Sequence, residues 1–247
     1  MNLFRYYLIF FLLVVVGAAI SMSGCGSSTP LDRLKSELNQ YPEYTIVLQD
    51  MKQDGAIFPK YFHNYKLIYA EPDAQNADSL VYLSSQTGWQ EVPEDFYKEN
   101  QNYLGMTLAS KTRDGKVSED KFPPGYQYIG NPQYGQWRQN SDGTSFWEFY
   151  GKYAMMRDAF GLIGSLISRN DYDDYRSYRR SSQPFFGSPR QYGTFGSKTQ
   201  QAAPSFFERK KAQQQEQRSS FLSKFKSRVS RGTQSTFRSR SSGSFGK

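Results

Sequence analysis

The chain has 247 residues, a formal net charge of +8, one cysteine and one histidine. One cysteine rules out an intrachain disulfide and a cysteine-rich metal or iron–sulfur site, and one histidine rules out a multi-histidine metal centre. The length allows one domain with tails, and we expect neither a bound metal nor a cofactor.

The first 24 residues have the layout of an export signal. Arg5 supplies a basic start, no charge occurs from Tyr6 to Ile20, and small residues follow. This order of basic, apolar and small segments predicts a cleaved signal peptide over residues 1–24. The apolar run is shorter than the roughly 20 residues that a membrane-spanning helix needs.

The end of this segment carries a family resemblance. Ser23, Gly24 and Cys25 match the bacterial lipoprotein signal class, in which a small residue precedes the lipid-bearing cysteine. Met22 stands where that class usually has leucine. The resemblance implies cleavage after Gly24, diacylglycerol on the Cys25 thiol, and an acylated anchor and linker over residues 25–29.

This resemblance also implies a location. Two or more acyl chains anchor a protein stably, so a lipid-anchored membrane protein of the bacterial cell envelope is expected. Gly26 and Ser27 follow the cysteine, and the lack of aspartate there resembles the signal for outer-membrane sorting in a Gram-negative cell. The alternative is an uncleaved signal anchor in which Cys25 is incidental.

Residues 30–167 have the composition of a small folded domain, with 23 aromatic residues. The patterns within it predict an α+β fold. We expect a small antiparallel sheet with a short N-terminal helix and a longer C-terminal helix, followed by a disordered basic tail.

Local signals place the elements of this domain in order. Thr29 is a predicted N-cap, Pro30 fits the first helical position, and Asp32 lies three residues after the cap. The helix that follows presents Leu31, Leu34 and Leu38 on one face and ends before Pro42. Alternating or short apolar runs predict strands over residues 44–51, 61–69, 80–83 and 104–108, with Asp-Gly turns at 54–55 and 114–115 and a helix over 93–103.

The stretch 122–138 is rich in proline, glycine and tyrosine, so it predicts a loop with one strand at Tyr126–Ile129. Its aromatic residues suit two roles. They either pack over the sheet as an ordered loop, which is the favoured interpretation, or form an exposed platform that stacks on sugars or peptides.

The clearest helix signal begins at Ser145. Ser145 and Glu148 have the spacing of a capping box, and an apolar face follows at helical intervals. Because the last part of the segment is apolar all round, something must cover it: the domain core, a partner or a membrane surface. The residues of this face are Phe146, Phe149, Tyr150, Tyr153, Phe160 and Ile163.

The charge divides sharply near residue 168. Residues 32–167 hold 13 Lys/Arg and 18 Asp/Glu, a net of −5, whereas residues 168–247 hold 17 Lys/Arg and 5 Asp/Glu, a net of +12. The second part has almost no aliphatic residues, which predicts disorder over 168–247 apart from a transient helix within Pro204–Val229. Its candidate basic contacts are Arg176, Arg179, Arg180, Arg190, Lys210, Lys211, Lys224, Lys226, Arg228, Arg231, Arg238 and Arg240.

A basic tail of this kind predicts an acidic partner. Behind a lipoprotein signal the candidates are anionic lipid, peptidoglycan or another envelope polymer, or a membrane protein, and a nucleic acid is not expected. A solvated tail without a partner is the alternative, because runs of charge often serve only solubility.

No catalytic motif stands out. His63 has no cysteine or second histidine to work with and is interpreted as a structural or surface residue. The pairs Glu94-Asp95 and Glu119-Asp120 are not distinguished from ordinary caps and surface acids. We expect a non-enzymatic binding or structural lipoprotein. Two alternatives stay open: a glycan-acting enzyme that uses a carboxylate pair, and a signal-anchored protein with a cytosolic RNA-binding tail.

Overall fold

A computed structural model of the protein describes residues 28–55, 57–74, 79–153 and 167–234. The fold is α+β, as predicted: helices are combined with an antiparallel sheet. The strands are β1 Tyr44–Asp54, β2 Lys60–Pro72, β3 Leu80–Gln86, β4 Gln90–Val92, β5 Thr107–Lys111, β6 Val117–Ser118, β7 Gly135–Gln139 and β8 Ser145–Phe149. The helices are α1 Pro30–Leu38, α2 Glu94–Asn100, α3 Arg169–Arg180, α4 Ser197–Ala202 and α5 Pro204–Gln234.

The main sheet has six strands in the order β3-β2-β1-β5-β6, with β4 pairing with β2, and its strand pairs are antiparallel. Strands β7 and β8 form a separate hairpin. The predicted strands at 44–51, 61–69 and 80–83 are confirmed. The Asp114-Gly115 turn leads into β6 with Gly115 at φ +79°.

Helix α1 begins as the sequence predicted. The Thr29 hydroxyl accepts from the Asp32 amide at 3.2 Å, and the Asp32 carboxylate accepts from the Thr29 amide at 3.0 Å. This reciprocal pair satisfies two backbone donors that a helix start leaves unpaired. Leu31, Leu34 and Leu38 are buried against the sheet.

Strand β1 is buried on both faces because side chains alternate along it. Tyr44, Ile46 and Leu48 face the core beneath α1, which also contains Phe206 from α5. Val47 belongs to the core on the opposite side. The sheet therefore lies between two apolar layers.

We call the second core the aromatic layer, because rings supply most of it. The rings of this layer come from the segment 122–134, from the β7–β8 hairpin and the turn after it, and from residues after 167. The layer contains Phe122, Tyr126, Tyr128, Tyr134, Trp147, Tyr153, Tyr175, Phe185 and Tyr192. The favoured interpretation of residues 122–138 is thus confirmed as packing over the sheet, although Tyr126–Tyr128 form a 3-10 turn and not a strand.

The helix predicted from Ser145 is wrong. Residues 145–149 form β8, in which Trp147 lies opposite Trp137 across the hairpin. Glu148 does not return to the Ser145 amide; it accepts from Arg138 Nε at 2.7 Å on the neighbouring strand. The Asp142-Gly143 turn, with Gly143 at φ +83°, lets the aromatic residues on either side pair as strands.

The boundary predicted at residue 168 is also wrong, because the chain beyond it is not a disordered tail up to residue 234. Tyr175 lies 5.5 Å from Phe122 and 5.5 Å from Tyr126 between ring centroids. Phe185 packs on Tyr126 at 5.5 Å. Aromatic rings bury enough area to replace the missing aliphatic residues. The helix predicted within Pro204–Val229 is confirmed as part of α5, and residues 235–247 lie outside the described ranges.

A buried carboxylate ties the sheet to the aromatic layer. Glu43, which directly precedes β1, is 0% exposed. It accepts from the Tyr134 hydroxyl at 2.7 Å and from the Tyr82 hydroxyl at 2.9 Å. Burial raises the pKa of Glu43 above its ordinary value of 4.5, although the tyrosine hydroxyls that donate to it act in the opposite direction.

Replacing Phe206 by alanine tests whether the C-terminal chain is part of the core. Phe206 is 6% exposed and Phe221 is 68% exposed, and both lie on α5. We expect Phe206→Ala to lower the free energy of unfolding by about 3–5 kcal/mol in urea denaturation, since it leaves a cavity beneath the sheet. Phe221→Ala should change it by less than about 0.5 kcal/mol. Equal effects would show that α5 does not pack as described.

Replacing Glu43 by glutamine tests the buried carboxyl. Because its folded pKa is raised, the group favours folding below pH 4.5, and this contribution is lost as the pH rises through the folded pKa. The amide does not ionise. We therefore expect Glu43→Gln to gain stability relative to the natural chain between pH 4.5 and pH 8 in urea denaturation. Glu119→Gln, at an exposed carboxylate paired with Lys35, should show no such gain; a relative loss in Glu43→Gln contradicts the buried acid.

Candidate functional site

The strongest candidate site is built on α3. This helix begins with a capping box, in which the Ser168 hydroxyl accepts from the Asp171 amide at 3.1 Å and the Asp171 carboxylate accepts from the Ser168 amide at 3.3 Å. Tyr175 is buried in the aromatic layer and fixes the rotation of the helix. The intervals of three and four residues then bring Arg176, Arg179 and Arg180 close together on its surface.

These arginines border a groove of about 490 Å³, which we call the basic groove. Its opposite wall comes from the turn before β6 and from the segment after β6. Four cations and one carboxylate line it. The lining residues are Lys116, Asp120, Gln127, Ile129, Tyr172, Tyr175, Arg176, Arg179, Arg180 and Ser182.

One arginine of the groove is held by its neighbours. Arg179 Nε lies 3.4 Å from Asp120 Oδ2, and its guanidinium also donates to the Tyr175 hydroxyl at 3.4 Å. Arg180 Nε donates to the backbone carbonyl of Arg176 at 3.3 Å. Asp120 therefore offsets one of the four positive charges, and the groove keeps a positive excess that suits an anionic ligand.

Two tyrosines form the floor on the helix side. The guanidinium of Arg176 lies 5.8 Å from the ring centroid of Tyr172, within the range of a cation–π contact. Burial raises the pKa of Tyr175 to about 12, and its contacts with Arg179 act in the opposite direction. Tyr175 is thus a neutral hydroxyl near pH 7, and the groove gains no negative charge from it.

The remaining predicted basic residues do not converge on this groove. Arg190 is exposed in the segment before α4, and its guanidinium lies 4.9 Å from the Phe186 ring centroid. Lys210, Lys211 and Lys224 are exposed along α5. Lys226, Arg228 and Arg231 lie in the last part of α5, whereas Arg238 and Arg240 lie outside the described residues.

The predicted apolar helix face is not a helix face where it is described. Phe146 and Phe149 are half-buried on β8, and Tyr153 is buried in the aromatic layer. Tyr150 is exposed in the connection that follows β8. Phe160 and Ile163 lie outside the described residues, as do Gly24 and Cys25.

His63 is a core residue, which decides between the structural and surface positions that the sequence left open. It is 0% exposed, and its Nδ1 lies 3.1 Å from the Tyr65 hydroxyl. Burial lowers the pKa of His63 to about 4, so the ring is neutral near pH 7. Its ring also contacts Phe96 and Tyr97 of α2.

In each pair of adjacent acids, at least one carboxylate forms an ion pair with a basic side chain. Glu94 lies 2.6 Å from Lys98 within α2, and this contact lowers the pKa of Glu94. Glu119 pairs with Lys35 on α1, whereas Asp120 faces Arg179 in the basic groove. Glu119 and Asp120 therefore form ion pairs with two different basic residues.

The described part of the chain contains neither a metal-binding cluster of side chains nor a membrane-spanning helix. No cluster of three or more His, Cys, Asp or Glu side chains that would hold a metal ion occurs in these residues. Within the same ranges, no helix is both long and apolar enough to cross a membrane.

Reasoning from the sequence missed the groove because it treated residues after 168 as disordered. The spacing of Arg176, Arg179 and Arg180 was a usable signal once Ser168 and Asp171 are read as a capping box. The contribution of Lys116 had no local signal, because this lysine lies in a distant turn. Comparison with protein-family models, with curated proteins and with solved structures gave no match.

Proposed function

We propose that this protein is a non-enzymatic lipoprotein of the bacterial cell envelope that binds an anionic envelope polymer in its basic groove. The observation that carries the proposal is the convergence of Lys116 with Arg176, Arg179 and Arg180 around the single carboxylate that lines the groove among the described residues. The ligand groups it suits are carboxylates or phosphates, which guanidinium groups bind through paired hydrogen bonds.

The size of the groove is that of an ordinary ligand site. A volume of about 490 Å³ lies within the range of ordinary ligand sites of about 300–1,000 Å³. The half-buried ring of Tyr172 lines the groove and gives an inserted sugar ring or peptide an aromatic contact. Peptidoglycan combines both features, since its stem peptides carry carboxylates and its strands carry sugar rings.

The proposed anchor keeps the groove near a membrane. Helix α1 begins at Pro30, so an acylated Cys25 would be joined to the folded part through residues 25–29. Five extended residues span at most about 17 Å. This short connection favours a polymer or headgroup located close to the bilayer.

Removing two groove arginines tests the site. We expect Arg176→Gln/Arg180→Gln to weaken binding to purified peptidoglycan by about 30-fold, since each cation near an anionic surface contributes about 1 kcal/mol. Sedimentation with peptidoglycan at 50 mM and 300 mM salt measures the affinity and its salt dependence. Vesicles that contain anionic lipid form a parallel arm, which distinguishes phosphate headgroups from cell-wall carboxylates.

The matched control is Lys211→Gln/Arg218→Gln, which removes the same charge from exposed positions of α5. It should retain nearly all of the binding. If both double variants lose affinity equally, the binding depends on overall charge and not on the groove. If neither variant changes it, the proposed site is wrong.

The anchor itself is tested by Cys25→Ala. We expect the natural chain to incorporate labelled fatty acid in bacterial cells and the variant to lose the label and the membrane association, because its thiol acceptor is gone. Membrane retention without label in the natural chain contradicts the lipoprotein proposal and favours a signal anchor.

A further inference from the structure

A second cavity lies between the main sheet and α4, on the same side of the sheet as the aromatic layer. Its volume is about 230 Å³. Strand β1 supplies Val47 and Gln49, strand β2 supplies Lys66 and Ile68, and α4 contributes its side chains from the other side.

The polar groups that line this cavity are rich in donors. Lys66, Lys198, Thr199 and Gln49 all border it, and no Asp or Glu is found among the described residues that form its wall. The ammonium group of Lys66 has no hydrogen-bond or ion-pair partner in the described part of the chain. Burial lowers the pKa of Lys66 and also that of Lys198, on which the charge of Asp171 acts in the opposite direction.

The wall of the cavity also contains a buried hydroxyl without a hydrogen-bond partner. Thr199 is 3% exposed, and its Oγ1 has no hydrogen-bond partner among the described residues. A buried polar atom without a partner costs about 1–3 kcal/mol, so such atoms are uncommon unless a ligand or water completes them.

The backbone around the cavity packs closely against this hydroxyl. Gly105 has φ +73°, and a Cβ at this position would lie 3.1 Å from Thr199 Oγ1. Gln49 is the extra residue where the β1–β2 register shifts between Leu48 and Asp50. Bulges of this kind redirect a side chain and are frequent beside binding sites.

Lys198 is positioned by an aromatic ring of the same wall. Its Nζ lies 3.4 Å from the Tyr192 hydroxyl and 5.1 Å from the centroid of that ring. The acidic group that acts on it is Asp171, whose carboxylate already caps α3. The apolar part of the wall includes Val47, Ile68 and Ala203.

We propose that this cavity binds a small organic anion, whose carboxylate lies between Lys66 and Lys198, while a short apolar chain contacts Ile68 and Ala203. The volume lies below the usual range for drug-sized ligands, which limits the ligand to a few carbon atoms. The site is separate from the basic groove and does not depend on the function proposed for it.

Titration of the mature chain with butyrate, acetate, inorganic phosphate and butylamine tests the proposal. Protein-observed NMR should show saturable shifts at residues of the cavity with butyrate and weaker binding with acetate. Butylamine, which has the same chain and the opposite charge, should not bind. The absence of saturable binding by butyrate, or equal binding by phosphate, overturns the proposal.

Two variants separate a binding role from a structural one. Lys66→Met and Lys198→Met should each weaken butyrate binding at least tenfold, yet leave the urea midpoint unchanged or higher, because each removes a half-buried ammonium group whose pKa burial lowers. Lys211→Met, at an exposed position of α5, is the matched control and should bind butyrate normally. A lower midpoint in both cavity variants, or unchanged binding in both, contradicts the proposal.

Discussion

The Glu43 carboxylate is the point at which the sheet and the aromatic layer are joined. It is buried at the start of β1 and accepts hydroxyl hydrogen bonds from Tyr82 on β3 and from Tyr134 after the 3-10 turn. A carboxyl group can be buried at this position only when hydrogen-bond donors surround it. The layer therefore needs tyrosine hydroxyls there, which phenylalanine would not supply. Tyr134 in turn packs on Tyr128 and Tyr153, with ring centroids 4.9 Å and 5.1 Å apart. The rest of the layer is arranged around these contacts.

Both candidate sites depend on the way in which the C-terminal chain completes that layer. Tyr175 and Tyr192 are buried in the same core, and the chain between them passes over the segment 122–134. Burial of Tyr175 places the arginines of α3 beside Lys116, and burial of Tyr192 places Lys198 beside Lys66. The residues that fill the core and those that supply positive charge therefore alternate along one segment. Loss of the aromatic contacts would remove the sites together with the fold.

The sequence predicted the elements whose signals are local. The capping box at Thr29, the alternation in β1 and the Asp-Gly turn before Val117 each fix backbone geometry within a few residues. The prediction of a helix from Ser145 was wrong because the same residue types also favour a strand. Pairing of Trp147 with Trp137 across an Asp-Gly turn stabilises the strand. The predicted tail failed because aliphatic content alone was used as the measure of a core, and rings buried on distant partners supply this one.

By itself the sequence determined the single cysteine that follows an apolar N-terminal run, the division of charge near residue 168, and the α+β class. Only the tertiary structure decided where that charge is concentrated. Lys116 and Arg176 line one groove, and Lys66 and Lys198 line one cavity, through packing between segments far apart in the chain. No local pattern encodes such an encounter, because it depends on which buried rings hold the two segments together. That physical reason separates the fold class, which local patterns specify, from the sites, which long-range contacts create.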